Sequence, residues 1–444
     1  MRLTWVQPED LVAHELVQAA AEGADVTVQA GKWSAAGGSL VPVAGGASEP
    51  GDPELRELAR GLLDELDRLT AALRSTEELD PAGWTEPPPL PVPAEEALLD
   101  RLHGAWLGRA AGCLLGKPVE KIPRAGIEEI ARATGNWPIR GYFTEAGLPA
   151  EVAARWPWNR RSRPTSLAEN IDGMPEDDDL NFAMLALELV ERHGGELSTE
   201  QVAESWLTEL PAGRVFTAER AAYRNLLEAV PPALAAVVRN PFREWIGALI
   251  RADVYGWVRP GDPHAAARLA YVDARLSHRR NGVYGAMFVA AMSAAAVTGT
   301  NVHAVVHCGL SVVPPDSALA EAVRFGADLG GSGLPLEAAL DELHAVYGAL
   351  HWVHVLNNAA LIAYALVSAE GEFGAAVAAA VAAGWDTDSA GATVGAVCGA
   401  LAGAAGLPEQ WTKPLRNRIA SSLPGFDRVA IDELARRTLA VAAR

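Results

Sequence analysis

Apolar residues recur at intervals of three and four along most of the chain after residue 95, and few stretches alternate apolar with polar positions. This spacing is the period of one face of an α-helix. After the acidic residues 176–179, one helix is predicted to run to Gly194, with an apolar stripe at Leu180, Met184, Leu187 and Val190. The next is predicted to begin at once, because Ser198 and Gln201 are spaced as a capping box. The predicted fold class is all-α, a compact multi-helix domain.

Two segments, 285–300 and 374–405, consist mostly of alanine, glycine and valine. Small side chains shorten the distance between packed helices, so these segments are predicted to be central, closely packed helices. A glycine also recurs at every fourth position from Gly104 to Gly116. This series predicts one close-packed face of a single helix.

The first 79 residues are predicted to form an N-terminal extension. They contain two helical patterns, at 10–21 and 53–74, and between them a segment rich in Gly, Ser and Val, 25–46, that could form a short hairpin. Residues 80–94 contain six prolines, which indicates an extended linker. The predicted division is therefore an extension (1–79), a linker (80–94) and a main domain (95–444).

Composition excludes several classes of function. Of the 444 residues, 37 are Lys or Arg and 56 are Asp or Glu, a formal charge of -19 that disfavours non-specific binding to nucleic acid or anionic membranes. Cys113, Cys308 and Cys398 are widely spaced, which indicates neither a disulfide framework nor a thiolate zinc site. Without an apolar leader or a spanning segment, the protein is expected to be soluble and cytoplasmic. The oligomeric state is left open.

Two acidic clusters stand at predicted helix starts. Glu176 to Asp179 are four consecutive acids, and Asp386, Asp388 and Ser389 lie between two apolar helices. Either cluster alone could be a solvated helix cap. If the two converge, their oxygen atoms would form a binuclear site for hard cations such as Mg²⁺ or Mn²⁺.

These segments resemble signatures of the ADP-ribosylglycohydrolases, the family that includes dinitrogenase-reductase-activating glycohydrolase and the ADP-ribosylhydrolases. Residues 384–395, Gly-Trp-Asp-Thr-Asp-Ser-Ala-Gly-Ala-Thr-Val-Gly, are similar to the second metal signature, and 176–178 resemble the first. The 104–120 segment is similar to the N-terminal helix and loop, and 276–285 to the region of the distal-ribose contacts. The resemblance covers about residues 98–425, and the extension has no counterpart in the minimal family domain.

The resemblance implies an all-α hydrolase that cleaves the glycosidic bond at the anomeric carbon of ADP-ribose with two divalent cations, Mg²⁺ or Mn²⁺. It implies the metal ligands Glu176, Asp177, Asp178, Asp386, Asp388 and Ser389. Glu120 falls on the mobile active-site glutamate, and Asp177 and Asp388 join it as candidate catalytic residues. The candidate substrate contacts are His278, Gly282, Tyr284, Arg251 and Asn358.

Four positions depart from the family pattern. Glu176 and Ser389 replace the usual threonines, Asp179 stands where threonine is common, and Cys113 stands where better-known members carry an aspartate. The ligand set is therefore expected to be shifted rather than lost.

Other interpretations remain open at this point. Glu120 could be an exposed charge in a loop, and His278 could be structural. The chain could hydrolyse smaller ribosides or nucleosides on the same scaffold, or keep the acidic loops for binding without catalysis. The sequence does not fix the group that is attached to the ribose.

Overall fold

A computed structural model describes residues 3–74 and 89–443. Helices make up most of the described chain and strands are almost absent from it, which confirms the all-α prediction. The α-helices, in chain order, are α1 (Pro8–Ala21), α2 (Thr27–Ala35), α3 (Pro53–Arg74), α4 (Glu95–Gly116), α5 (Arg124–Ala133), α6 (Ala150–Arg155), α7 (Arg163–Ser166), α8 (Asp178–His193), α9 (Thr199–Glu209), α10 (Thr217–Leu227), α11 (Pro232–Ala235), α12 (Asp253–Trp257), α13 (Pro263–Ala274), α14 (Asn281–Ala296), α15 (Val302–Ser311), α16 (Ala318–Gly330), α17 (Leu336–Tyr347), α18 (Val355–Ser368), α19 (Phe373–Ala382), α20 (Thr387–Ala402), α21 (Glu409–Thr412) and α22 (Ile431–Ala442).

Among the described residues, the strands form one short antiparallel pair. Strand β1 (Arg418–Ile419) pairs with β2 (Val429–Ala430) near the C-terminus. No described helix combines the length and the apolar character that a membrane crossing requires.

The chain divides into two compact units. The N-terminal unit combines Met1–Thr85 with Ser198–Ala248 and Tyr271–Val283, and the larger unit combines Glu86–Leu197, Leu249–Ala270 and Tyr284–Arg444. Most of the predicted linker, 80–94, lies outside the described residues. The predicted boundaries at 79 and 94 stay a prediction.

In the N-terminal unit, buried ion pairs join helix α1 and the residue after it to the segment that contains Arg243. The Arg243 guanidinium donates to both Glu15 carboxylate oxygens, at 2.8 and 2.9 Å, and to Glu22 at 2.6 Å. All three side chains are fully buried. Because an unpaired buried charge is costly, the network ties α1 to this segment within the unit.

The segment predicted as a hairpin, 25–46, contains helix α2 instead. Asp25 accepts hydrogen bonds from the Thr27 backbone and hydroxyl groups, at 3.0 and 2.6 Å, and so stabilises the first turn. Gln29 and Trp33 are spaced four apart and both are buried. The burial of one helical face thus determines the structure of this segment more than its turn-forming residues do.

Helices α4 and α20 pack antiparallel in the larger unit through facing glycines. A Cβ atom added at Gly108 would lie 2.0 Å from the Gly395 carbonyl oxygen, and one at Gly112 would lie 1.9 Å from that of Gly391. Only glycine permits this approach. At one end of the interface Gly116 lies against the Thr387 backbone. The end of α4 therefore meets the start of α20, and this meeting point positions the acidic cluster described below.

Candidate metal centre

The first acidic cluster forms the start of α8. Asp177 is the N-cap residue, and its carboxylate Oδ1 accepts a hydrogen bond of 3.0 Å from the Asp179 backbone nitrogen. Asp178 and Asp179 occupy the first turn, where the helix dipole favours negative charge. Asp177 and Asp179 are nonetheless buried, so the cluster is not a solvated cap.

The second cluster forms the start of α20, where Asp386 is the residue before the first turn and Asp388 and Ser389 follow. The Thr387 hydroxyl donates to the Gly116 carbonyl oxygen at 2.9 Å, which fixes this turn against the end of α4. The Ser389 hydroxyl donates to Asp179 Oδ2 at 3.3 Å. The two acidic helix starts therefore converge in space.

A third segment, which follows α4, contributes a cation. Lys117 begins a short 3-10 turn, Lys117–Val119, and its side chain is buried. Its ammonium donates to the Asp177 carboxylate and, at 3.2 Å, to the Glu176 carbonyl oxygen. Burial alone would lower the pKa of Lys117, but the Asp177 and Asp388 carboxylates raise it above its ordinary value. The side chain therefore carries a positive charge.

Burial governs the ionisation of the acids. It raises the pKa values of Asp178, Asp179 and Asp386 well above their ordinary value, and neighbouring carboxylates add to the effect. Burial and the Glu120 charge raise the pKa of Asp388 to about 7. For Asp177, burial also opposes ionisation, but the nearby Lys117 ammonium keeps the pKa below the ordinary value.

Cys113, Asp177 and Asp179 form a buried group whose potential ligand atoms all lie within 4.8 Å of one another. This group could bind a metal ion. The Cys113 thiol lies 3.9 Å from Asp179 Oδ2, and burial together with the Asp177 and Asp179 charges raises its pKa well above the ordinary value. Asp177 and Asp179 contribute oxygen atoms to this group and Cys113 a sulfur atom, so oxygen is the main donor type.

The oxygen-rich centre fits a hard divalent cation. Asp179 Oδ1 is buried without a hydrogen-bond partner, although the Arg109 guanidinium lies 3.6 Å away. The Asp388 charge adds to the burial that raises the pKa of Asp386, and a bound cation would relieve this repulsion. Carboxylate and hydroxyl oxygens are the ligands that Mg²⁺ and Mn²⁺ prefer.

Two other predicted site residues lie beside the centre. The Glu120 carboxylate is partly exposed, accepts a hydrogen bond of 2.5 Å from Asn159 and lies 3.3 Å from the Lys121 ammonium. The predicted ligand Glu176 accepts a side-chain hydrogen bond of 3.3 Å from Asn181.

Asn358 links two loops of the larger unit. Its amide nitrogen donates to the Trp352 and His354 carbonyl oxygens at 3.0 and 2.8 Å, and its oxygen accepts from the Asp386 backbone nitrogen at 3.4 Å. These bonds hold the start of α18 against the start of α20. Asn358 is therefore a support for the acidic turn.

The remaining predicted substrate contacts are divided between the units. In the larger unit, Arg251 is buried with its guanidinium 5.4 Å from the Phe182 ring, and Tyr284 is partly exposed on α14. His278 and Gly282 belong to the N-terminal unit, where the His278 ring nitrogen lies 2.8 Å from the Ser277 hydroxyl. Their roles stay predictions.

The structure adds two residues that the sequence analysis did not place at the site, Lys117 and Arg109, and it shows how Asp179 is held there. Lys117 pairs with Asp177, Asp179 accepts from Ser389, and Arg109 supports Asp179 by donating to its carbonyl oxygen at 2.7 and 3.1 Å. Lys117 and Arg109 are charges within otherwise apolar helical sequence, and that signal could have singled them out.

Comparison with known proteins identifies the family of the chain. The family model for ADP-ribosylglycohydrolase matches residues 94–444. A solved structure of an ADP-ribosylglycohydrolase-related protein complex is similar at 20% identity and a TM-score of 0.49, and the match covers 78% of this chain and 99% of that chain. At this level the neighbour supports no inference about the present protein. No curated protein sequence matches. On the family match, the chain belongs to the ADP-ribosylglycohydrolase family and is a hydrolase of glycosyl bonds.

Proposed function

We propose that the protein hydrolyses the glycosidic bond at the anomeric carbon of an ADP-ribose conjugate, and that it does so with divalent cations bound at the acidic centre. The family match supports an ADP-ribose-type substrate. The convergence of two acidic helix starts, joined by the Ser389 to Asp179 hydrogen bond, is the observation that carries the metal-dependent part.

The proposed ligands are the oxygen atoms of Asp178, Asp386, Asp388 and Ser389, with Glu176 at the edge of the set and Asp177 shared with the Lys117 ammonium. A bound Mg²⁺ or Mn²⁺ would polarise the ribose hydroxyls and an attacking water molecule. Asn358 and Thr387 hold the α20 turn in place through their hydrogen bonds to Asp386 and Gly116. Such support keeps the carboxylates in position without substrate.

Glu120 is the proposed proton acceptor. Hydrolysis breaks the bond between the anomeric carbon and the attached nitrogen or oxygen; water gives its hydroxyl to the carbon, and the leaving group gains a proton. Asn159 orients the Glu120 carboxylate by donating to Oε2, and Lys121 lies beside Oε1. Because Glu120 is partly exposed, it can contact a substrate hydroxyl or the attacking water.

The test is the release of free ADP-ribose from peptides that carry it on arginine, on serine or on a carboxylate, with Mg²⁺ or Mn²⁺ present. Glu120→Gln should lower kcat by at least about 100-fold, the typical contribution of a general base. Asp388→Asn, which removes a proposed metal ligand, should lower kcat as well. Asp316→Asn, which changes an exposed carboxylate, should leave activity unchanged.

Two results would contradict the proposal. One is full activity in the Asp388→Asn and Glu120→Gln variants. The other is equal, weak binding of ADP-ribose, ribose and nucleosides, which would favour a hydrolase of smaller ribosides instead.

A further inference from the structure

We propose that the Lys117 ammonium occupies one of the two cation positions of the acidic centre, so that the protein binds a single divalent ion there. This inference rests on the proposed metal-dependent function. It concerns the number of bound ions, which is independent of the substrate.

The first argument comes from the two oxygens of Asp177. Oδ1 accepts the hydrogen bond from the Asp179 backbone nitrogen at 3.0 Å, and Oδ2 accepts from the Lys117 ammonium. A divalent ion on Asp177 would therefore lie next to a positive charge inside a buried site. Like charges repel most strongly where water is excluded, so the ion and the ammonium compete for this position.

The second argument is that the charged end of Lys117 is buried at this position. Its side chain is only 8% exposed, and the second bond of the ammonium goes to the Glu176 carbonyl oxygen at 3.2 Å. The short turn Lys117–Val119 follows α4 directly, and the glycine contacts between α4 and α20 hold that helix end in place. Displacing the ammonium would leave it buried without its carboxylate partner, which is strongly unfavourable.

The third argument is that the rest of the centre keeps an unsatisfied oxygen. Asp179 Oδ1 is buried without a hydrogen-bond partner, while its other oxygen, Oδ2, accepts at 3.3 Å from Ser389 at the start of α20. Arg109 does not fill this role, because it forms its closer ion pair, 2.6 Å, with Asp253. One divalent ion is therefore expected on the α20 side, and the lysine on the Asp177 side.

The experiment measures Mn²⁺ bound to the full chain. Equilibrium dialysis with elemental analysis should give one Mn²⁺ per wild-type chain and two per Lys117→Met chain, since methionine fills the same space without a charge. Lys413→Met, which removes an exposed lysine, is the matched control and should bind one.

Electron paramagnetic resonance of the wild-type chain tests the inference even if Lys117→Met does not fold. An isolated six-line Mn²⁺ spectrum is expected. A spin-coupled pair in the wild type, no bound Mn²⁺, or the same number of ions in wild type and Lys117→Met would overturn the inference. The ADP-ribose release assay reports separately on the proposed function, which fails if a chain that binds one ion releases no ADP-ribose.

Discussion

The packing of α4 against α20 leads to the sharpest prediction, for Gly112→Ala. The new Cβ would lie 1.9 Å from the Gly391 carbonyl oxygen and 2.6 Å from its carbon. Both are main-chain atoms, so no side chain can rotate away. The helices would have to move apart by about 1 Å, and overpacking of this kind costs about 1–3 kcal/mol. We expect a net loss of about 1 kcal/mol in the free energy of unfolding, after the gain of about 1 kcal/mol that alanine brings to a helix.

The same shift should disturb the acidic centre. Helix α20 begins with the acidic turn, which Thr387 holds against the end of α4, so separating the helices shifts Asp386 and Asp388 away from the rest of the centre. We therefore expect weaker Mn²⁺ binding as well as lower stability in Gly112→Ala. A functional loss without a stability loss would indicate a different cause.

Urea denaturation followed by circular dichroism measures the stability change, and Mn²⁺ titration measures the binding change. The matched control is Gly61→Ala in α3, because a Cβ there meets nothing within 4 Å. That variant should be more stable by about 0.5–1 kcal/mol. If Gly112→Ala unfolded at the same urea concentration as wild type, the close contact inferred between α4 and α20 would be wrong.

Three further outcomes are expected. Chelator should lower the melting temperature, since a bound cation stabilises the native state only, by about 2.7 kcal/mol at 100 times Kd; an unchanged melting temperature in calorimetry would count against a bound ion. Arg109→Met should cost about 3–5 kcal/mol in urea denaturation because it leaves buried Asp253 unpaired, and the double variant with Asp253→Asn should recover part of this; equal losses would argue against the ion pair. Burial lowers the pKa of His14 from 6.5 to about 4, so the unfolded chain binds more protons between these values. The contribution of His14 to the free energy of unfolding should therefore be fully present above about pH 6.5 and fall by about 3 kcal/mol as the pH drops towards 4. His14→Phe should flatten the pH dependence of the urea midpoint, the exposed His303→Phe should not, and an identical dependence in both variants would refute the assignment.

Local features were predictable from the sequence. Helix α8 begins at Asp178 and ends before Gly194, whose positive φ of 60° suits glycine, and Ser198 and Gln201 form both hydrogen bonds of the predicted capping box. Caps and glycine stops involve residues a few positions apart, so the sequence around them contains their cause. The four-residue glycine period likewise indicated a close-packed helix face, although not the helix that packs on it.

The segment 25–46 shows where local composition misleads. Its glycines and serines favour turns, yet Trp33 is buried and donates a hydrogen bond of 2.8 Å to the Ser39 carbonyl oxygen. Burial of one large aromatic side chain stabilises the helical arrangement more than the turn residues stabilise a hairpin. That gain depends on what surrounds Trp33, which the sequence of the segment does not specify.

By itself, the sequence determined the all-α class, the main helix starts and the two acidic turns, because helical periodicity and capping are local. Only the tertiary structure decided which residues the acidic turns contact. Lys117 meets Asp177 across 60 positions, and Ser389 meets Asp179 across 210. The glycine faces of α4 and α20 bring the end of α4, before Lys117, to the start of α20, and burial and neighbouring charges then raise or lower the pKa values of the site residues. Charge pairing in a buried site depends on distance and on the exclusion of water, and both are properties of the folded chain.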